Sequence, residues 1–86
     1  MPTKTVQLRY FASIREAVGT GSEAFSTDAD TVGALRDELI ARGGAHASSL
    51  ARGKAVRMAL NQTLSDESAT LADGAEVAFF PPVTGG

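Results

Sequence analysis

The sequence predicts one α+β domain, in which a single main helix packs across one face of a mixed sheet of about four or five strands. Three observations lead to this prediction. Period-two strand patterns occur near both ends of the chain, one amphipathic helix pattern lies between them, and the 86 residues contain neither a repeat nor an internal linker. The predicted order is strand, strand, helix, strand, short strand, strand.

The first strand pattern covers residues 5–11, where apolar and polar side chains alternate. One face consists of Val6, Leu8 and Tyr10, and the other of Gln7, Arg9 and Phe11. Residues 12–18 are predicted to form a short helical turn, and residues 22–27 a second strand that pairs with the first as a hairpin. Gly19 and Gly21 fit the short connection between them.

The main helix is predicted to begin after the N-cap candidates of residues 28–31 and to end at Gly43 and Gly44. Its apolar stripe consists of Val32, Leu35, Leu39 and Ile40, and its solvent side of Arg36, Asp37 and Glu38. The small and polar residues 45–54 are predicted to form a loop with room for one helical turn.

Three more strands are predicted, over residues 55–60, 63–65 and 76–80, with turns at Asn61-Gln62 and Asp73-Gly74. The first and last strands are well-formed and apolar, so we expect them side by side at the sheet centre. They run parallel because the helix is the crossover between two hairpins. This is the β-grasp arrangement of ubiquitin. We expect the domain to span residues 1–81 and a flexible C-terminal tail to span residues 82–86.

Composition excludes several classes of function. The net charge of −2 comes without a cluster of Lys or Arg, so nucleic acid is not an expected partner. The absence of cysteine excludes disulfides, thiolate nucleophiles, iron–sulfur ligation and most structural zinc sites. No stretch is long and apolar enough for a membrane span or a signal peptide, so the chain is expected to be cytoplasmic and not membrane-bound.

No set of side chains forms a catalytic, metal-binding or cofactor-binding constellation. His46 is interpreted as a solvated residue or, alternatively, a contact on a partner surface. Helix capping accounts for the acidic pair Asp28 and Asp30, and a turn accounts for Asp66 and Glu67. We therefore expect no bound cofactor or metal.

The last strand presents an aromatic side chain on the outside of the sheet. If Val77 and Phe79 point into the core, alternation turns Phe80 to the opposite face, which also carries Phe11. The two rings are predicted to form an exposed docking patch, joined by Leu64. The alternative is that loops cover the rings. Arg9 and Arg57 are interpreted as solvated charges on the same face.

The chain ends on Gly85 and Gly86, which lack a Cβ and can enter a narrow channel. Pro81 and Pro82 restrict the backbone just before them. The only group that this ending offers for chemistry is the α-carboxylate of Gly86. Because a carboxylate is a poor electrophile, it must be activated by another molecule.

This ending, Phe79-Phe80-Pro81-Pro82-Val83-Thr84-Gly85-Gly86, occurs together with Asn61-Gln62-Thr63-Leu64 and Tyr10-Phe11-Ala12. In these motifs the chain resembles the molybdopterin synthase sulfur-carrier (small) subunits, a family of ubiquitin-like β-grasp proteins. The resemblance covers essentially the whole chain. A terminal Gly-Gly alone also occurs in ubiquitin-like modifiers and in the thiazole-forming sulfur carrier, whereas the Phe-Phe-Pro-Pro context is more specific.

The resemblance implies a sulfur cycle at Gly86. A separate, ubiquitin-activating-like enzyme consumes ATP to form a glycyl adenylate, which is the chain's only link to a nucleotide. A sulfur donor then displaces AMP and leaves a C-terminal thiocarboxylate (1-thioglycine). The tail inserts into the large catalytic subunit of molybdopterin synthase, a heterotetramer, and gives its sulfur to cyclic pyranopterin monophosphate in molybdenum cofactor biosynthesis.

By the same resemblance, the chain is not an enzyme on its own, and the catalytic side chains belong to the large subunit of this heteromeric sulfurtransferase. Gly86 carries the sulfur and Gly85 is its slim neighbour. The implied partner-binding positions are Phe11, Leu64, Phe80, Pro81, Pro82, Val83 and Thr84.

Three alternatives remain open from the sequence. The chain is a sulfur carrier for thiamine thiazole or another pathway, or a ubiquitin-like modifier that forms isopeptide bonds with lysines, or an interaction module with an inert tail. Partner identity and the mass of the modified chain distinguish them.

Overall fold

A computed structural model of the chain describes residues 3–51, 53 and 55–82. Within these residues the chain forms five strands and three helices. Their order is β1 (Lys4–Tyr10), α1 (Ala12–Val18), β2 (Ser22–Thr27), α2 (Val32–Ala41), α3 (Gly44–Ser49), β3 (Arg57–Leu60), β4 (Thr63–Ser65) and β5 (Glu76–Phe80). The predicted ubiquitin-like α+β fold is confirmed; β1 and β3 shift by one and two residues from their predicted starts.

All five strands belong to one sheet, in the order β2-β1-β5-β3-β4. The two central strands, β1 and β5, pair in parallel, with Leu8 opposite Val77 and Tyr10 opposite Phe79. The other neighbouring strands are antiparallel. The predicted central parallel pair is therefore confirmed.

The core lies between α2 and the sheet face that carries Leu8 and Phe79, which we call the inner face; the opposite side is the outer face. The largest fully buried side chains of the core are Tyr10, Phe79, Leu8, Leu35, Leu39, Leu50, Leu71, Val6, Val32 and Val77. Burial of each such side chain contributes about 1.5–3 kcal/mol to folding. The alternation predicted for β1 and β5 thus selects the core residues.

Helix α2 begins as the sequence predicts, with Thr31 as the N-cap. The extended Thr31 backbone (φ −134°, ψ 163°) lets its side chain accept a hydrogen bond from the Ala34 N–H at 3.1 Å. Asp30 instead accepts from the Lys4 ammonium at 3.4 Å. At the other end, Gly43 has a φ of 78°, which glycine adopts without steric cost.

The prediction for Arg36 is wrong: its side chain is buried, not on the solvent side of α2. The guanidinium donates to the backbone carbonyls of Leu50 and Ala51, each at 2.8 Å, and to the Glu67 carboxylate at 2.8 Å. Position 36 lies one helical turn after Val32, so it belongs to the apolar stripe. Arg36 therefore ties α2 to the end of α3 and to the segment before β5.

The helical turn allowed for residues 45–54 is found, whereas the interpretation of His46 as a solvated residue is wrong. Gly44–Ser49 forms the six-residue helix α3. The His46 side chain on this helix is only 15% exposed, and its Nε2 lies 3.0 Å from a Glu23 carboxylate oxygen. Its ring contacts the Tyr10 ring edge-on, with centroids 5.8 Å apart. Glu23 and Tyr10 belong to β2 and β1, which are far from His46 in the sequence, so no local pattern could indicate these contacts.

Glu23 is the centre of a polar cluster on the inner side of the sheet. Besides His46, it accepts hydrogen bonds from the Tyr10 hydroxyl at 2.8 Å and from Arg42 at 3.2 Å. Burial opposes ionisation of Glu23, but the hydrogen bonds from His46, Tyr10 and Arg42 outweigh it and lower the Glu23 pKa. Burial, followed by the hydrogen bond to Glu23, raises the pKa of Tyr10 well above its ordinary value.

None of the helices in the described part of the chain has the length and apolar content that a membrane span requires.

We expect Arg36→Met to lower the free energy of unfolding by about 2–4 kcal/mol, measured by chemical denaturation. Methionine keeps most of the aliphatic volume but leaves the Leu50 and Ala51 carbonyls without their donor. The matched control is Arg15→Met on the exposed side of α1, for which we expect a change within about 0.5 kcal/mol. Equal stability of the two variants would show that the buried hydrogen bonds contribute nothing net.

The raised pKa of Tyr10 predicts a loss of stability at alkaline pH. The phenol stays neutral in the folded chain but ionises in the unfolded chain near pH 10, so its contribution is complete below that pH. Above it, the unfolding free energy falls by about 1.4 kcal/mol per pH unit. The Tyr10→Phe variant cannot ionise at this position, so this loss affects only the parent. The amount by which the unfolding free energy of the parent exceeds that of the variant should therefore decrease as the pH rises above about 10. A constant difference between pH 8 and 11 would contradict this assignment.

Candidate partner-binding face and tail attachment

Two aromatic residues mark the end of the outer face from which the tail departs. Phe11 directly follows β1, and Phe80 closes β5. Their rings meet edge to face, with centroids 6.5 Å apart and planes at 83°. Phe11 is 44% exposed and Phe80 is half-buried. The structure thus brings the two rings together on the outer face as predicted; their contact with a partner stays a prediction.

The backbone around Phe11 holds its ring in place. The Phe11 N–H donates to the Phe79 carbonyl at 3.2 Å, and the Phe11 carbonyl accepts from the N–H groups of Ile14 and Arg15. The next residue, Ala12, has a φ of 52°, in the left-handed region that costs a residue with a Cβ about 1–2 kcal/mol. This turn from β1 into α1 keeps Phe11 beside Phe80 at the end of the sheet.

Leu64 lies on the same face but does not adjoin the aromatic pair. It is opposite Ala59 of β3, and Ala59 is opposite Ala78 of β5. Leu64 is 62% exposed, the largest exposure of any large hydrophobic side chain in the described residues. Together these residues form what we call the apolar strip, consisting of Phe11, Phe80, Ala78, Ala59 and Leu64. Its length across four strands suits a broad contact with another protein.

Arg9 and Arg57 flank the apolar strip. The Arg9 guanidinium carbon lies 6.0 Å from the centroid of the Phe11 ring, at the outer limit of a cation–π contact. Arg57 is exposed and lies opposite Phe80 in the pairing of β3 with β5. Both are solvated as predicted, but each is also next to one ring of the aromatic pair.

A cleft that the sequence does not indicate opens where the tail begins. It has a volume of about 140 Å³ and is lined by Ser13, Ile14, Ala17, Ser49, Ala55, Val56 and Pro81. Its walls come from α1, the end of α3 and the segment before β3. The cleft depends on how α1 and the end of α3 pack together, so local sequence patterns could not predict it.

Pro81 and Pro82 are half-buried and follow β5 directly. The remaining predicted site residues, Val83, Thr84, Gly85 and Gly86, lie outside the described residues. Their roles, and the predicted boundary between a domain of residues 1–81 and a tail of residues 82–86, therefore stay predictions.

The acidic side chains that could suggest a metal site have other partners. Asp66 accepts hydrogen bonds from Ser68, which lower its pKa, and Glu67 binds Arg36. Across the described ranges, no three His, Cys, Asp or Glu side chains are grouped so that they could hold a metal ion.

Comparison with known sequences identifies the family. Residues 8–86 match the ThiS family. The molybdopterin synthase sulfur carrier subunit of Escherichia coli is 46% identical over 81 residues, which cover 94% of this chain and 99% of that protein.

Solved structures with a similar fold agree. Small archaeal modifier protein 1 of Haloferax volcanii superposes with a TM-score of 0.75 at 26% identity, covering 93% of this chain and 99% of that one. A chain of the complex between subunits 1 and 2 of the Helicobacter pylori molybdopterin-converting factor gives a TM-score of 0.63 at 30% identity, covering 95% and 99%. Because the sequence matches span nearly the whole chain, this protein belongs to the ThiS family, among the molybdopterin synthase sulfur carrier subunits.

Proposed function

We propose that the chain carries sulfur in molybdenum cofactor synthesis, with Gly86 as the carrying residue. The observation that carries this proposal is the 46% identity to the Escherichia coli sulfur carrier subunit over 94% of the chain. The Gly86 carboxylate is adenylated, converted into a thiocarboxylate, and donates its sulfur to cyclic pyranopterin monophosphate inside molybdopterin synthase.

In this cycle, each step makes Gly86 reactive enough for the step that follows. A carboxylate is a poor electrophile, so a separate enzyme joins it to AMP from ATP, with release of pyrophosphate. The sulfur of a sulfide-level donor attacks the acyl carbon and AMP leaves. Cleavage of the bond between that sulfur and its donor then leaves the thiocarboxylate, which is a soft nucleophile. ATP is thus consumed by the activating partner, and this chain keeps no cofactor. The need for ATP supports a cytoplasmic location.

The geometry of the outer face supports a division of labour with a large catalytic subunit. The apolar strip lies beside the start of the tail, where a partner could bind it. A partner that binds the apolar strip would receive the tail just beyond Pro81, the last residue of the predicted domain. Since an extended run of six residues spans about 20 Å at most, the reacting carbon of the partner's substrate must lie within that distance of Pro81.

We expect deletion of Gly86 to abolish thiocarboxylate formation and to leave the melting temperature unchanged. The assay is intact-mass analysis after incubation with ATP, the adenylating enzyme and a sulfur source, in which the parent chain gains the mass of an oxygen-to-sulfur replacement. Normal sulfur loading of the shortened chain would refute the role of Gly86.

We expect Phe80→Asp to weaken binding to the large subunit by about thirtyfold or more, as for an interface hot spot, with little loss of stability. Binding is measured by calorimetry and stability by thermal unfolding. The matched control is Ser26→Asp on β2, an exposed position on the same face at its far end, which should bind like the parent. A large fall in melting temperature with unchanged affinity would instead assign Phe80 a core role.

The structural similarity to an archaeal modifier protein favours one second candidate, a protein modifier whose Gly86 forms isopeptide bonds with lysines. High-mass adducts on a blot of cell extract would support it. A chain that only gains the oxygen-to-sulfur mass shift supports the sulfur carrier.

A further inference from the structure

The charge on the outer face has the opposite sign to the charge of the whole chain. The charged side chains that the strands place on this face are Arg9, Arg57 and Glu76. Two arginines and one glutamate leave this face with one net positive charge, whereas the chain carries −2. Both arginines lie toward the end of the sheet where the tail begins, and Glu76 is at the start of β5, away from the tail.

Arg9 is only loosely held within the chain. Its guanidinium is 3.9 Å from the Glu76 carboxylate, and its side chain is 45% exposed. An exposed ion pair of this kind contributes at most about 1 kcal/mol. The guanidinium can therefore turn from Glu76 to a carboxylate on another molecule without a large loss of stability.

Arg57 forms no ion pair with any other described residue. It shares a shallow groove of about 470 Å³ with Leu64 and with the acidic residues Asp66 and Glu67. Hydrogen bonds from Ser68 already hold Asp66, and Arg36 holds Glu67. The positive charge of Arg57, directly across from Phe80, is thus left for a partner.

We propose that the partner surface that covers the apolar strip is acidic. It presents an apolar pocket for Phe11 and Phe80 and carboxylates placed to pair with Arg9 and Arg57. This inference rests on the proposed function and takes the large subunit of molybdopterin synthase as the occupant. Arginine suits this position because its weakly hydrated, planar head forms bidentate bonds with carboxylates and stacks on aromatic rings. Opposite charges around the strip also accelerate association and set the orientation in which the tail arrives.

The test measures association rates of the intact chain with the purified cognate large subunit by stopped-flow fluorescence. The variants are Arg9→Gln, Arg57→Gln and the double variant, at low salt and at about 0.15 M salt. We expect the double variant to associate about tenfold more slowly at low salt and to lose most of the salt dependence of the parent. Arg9→Lys/Arg57→Lys should restore most of the rate, because it keeps the charge.

Ser26→Asp is the control for net charge. It changes the charge by −1, as each single Arg→Gln variant does, but it lies opposite Thr5. Arg9 is four positions along β1 from Thr5, about 13 Å, which exceeds the Debye length of about 8 Å at about 0.15 M salt. At that salt, the association rate of Ser26→Asp should therefore change less than twofold.

The outcomes separate the two proposals. If the parent binds and the glutamine variants associate at the parent's rate and salt dependence, the acidic partner surface is refuted and the proposed function stands. Faster association of the glutamine variants would show a basic partner and also refute the inference. If the parent chain itself does not bind the large subunit, the proposed function fails, and the inference fails with it.

Discussion

The parallel pairing of β1 with β5 is the constraint on which the rest of the structure depends. Parallel strands place their carboxyl ends at the same edge of a sheet, so the residue after β1 and the end of β5 must lie side by side. Phe11 and Phe80 meet for this reason, and the tail starts beside them. The pairing also requires a crossover, which α2 supplies while it covers the inner face. The register of β1 with β5 thus determines where the aromatic pair, the start of the tail and the core lie.

Two polar clusters on the inner side of the sheet link the helices to other elements around the small core. Arg36 joins α2 to backbone carbonyls after α3 and to Glu67 before β5. Glu23 joins two strands to α3 through Tyr10 and His46. Each cluster is satisfied by hydrogen bonds, which makes its burial tolerable. The buried polar clusters therefore lie on the helix side of the sheet, whereas the outer face carries the apolar strip.

This separation of faces fits a protein whose reactive group is its own backbone terminus. The proposed function requires a surface that a partner recognises and a slim end that enters the partner's active site. Neither requires a catalytic side chain within the carrier. The described residues meet the first requirement with the apolar strip and its two arginines, which combine burial of aromatic surface with charge. In the proposed function, recognition resides in the sheet and reactivity in Gly86.

The sequence by itself determined the faces of the strands, the order of the elements and the family. Val6, Leu8 and Tyr10 face the core, and Phe11, Leu64 and Phe80 lie outside, because period-two alternation is a local property of the backbone. Only the tertiary structure decided the hydrogen-bond partners of Arg36, the partners of His46 and the cleft at Pro81. Arg36 and Glu67 are 31 residues apart, and His46 and Glu23 are 23 apart. Such contacts depend on how helices dock onto the sheet, and no local periodicity encodes that docking.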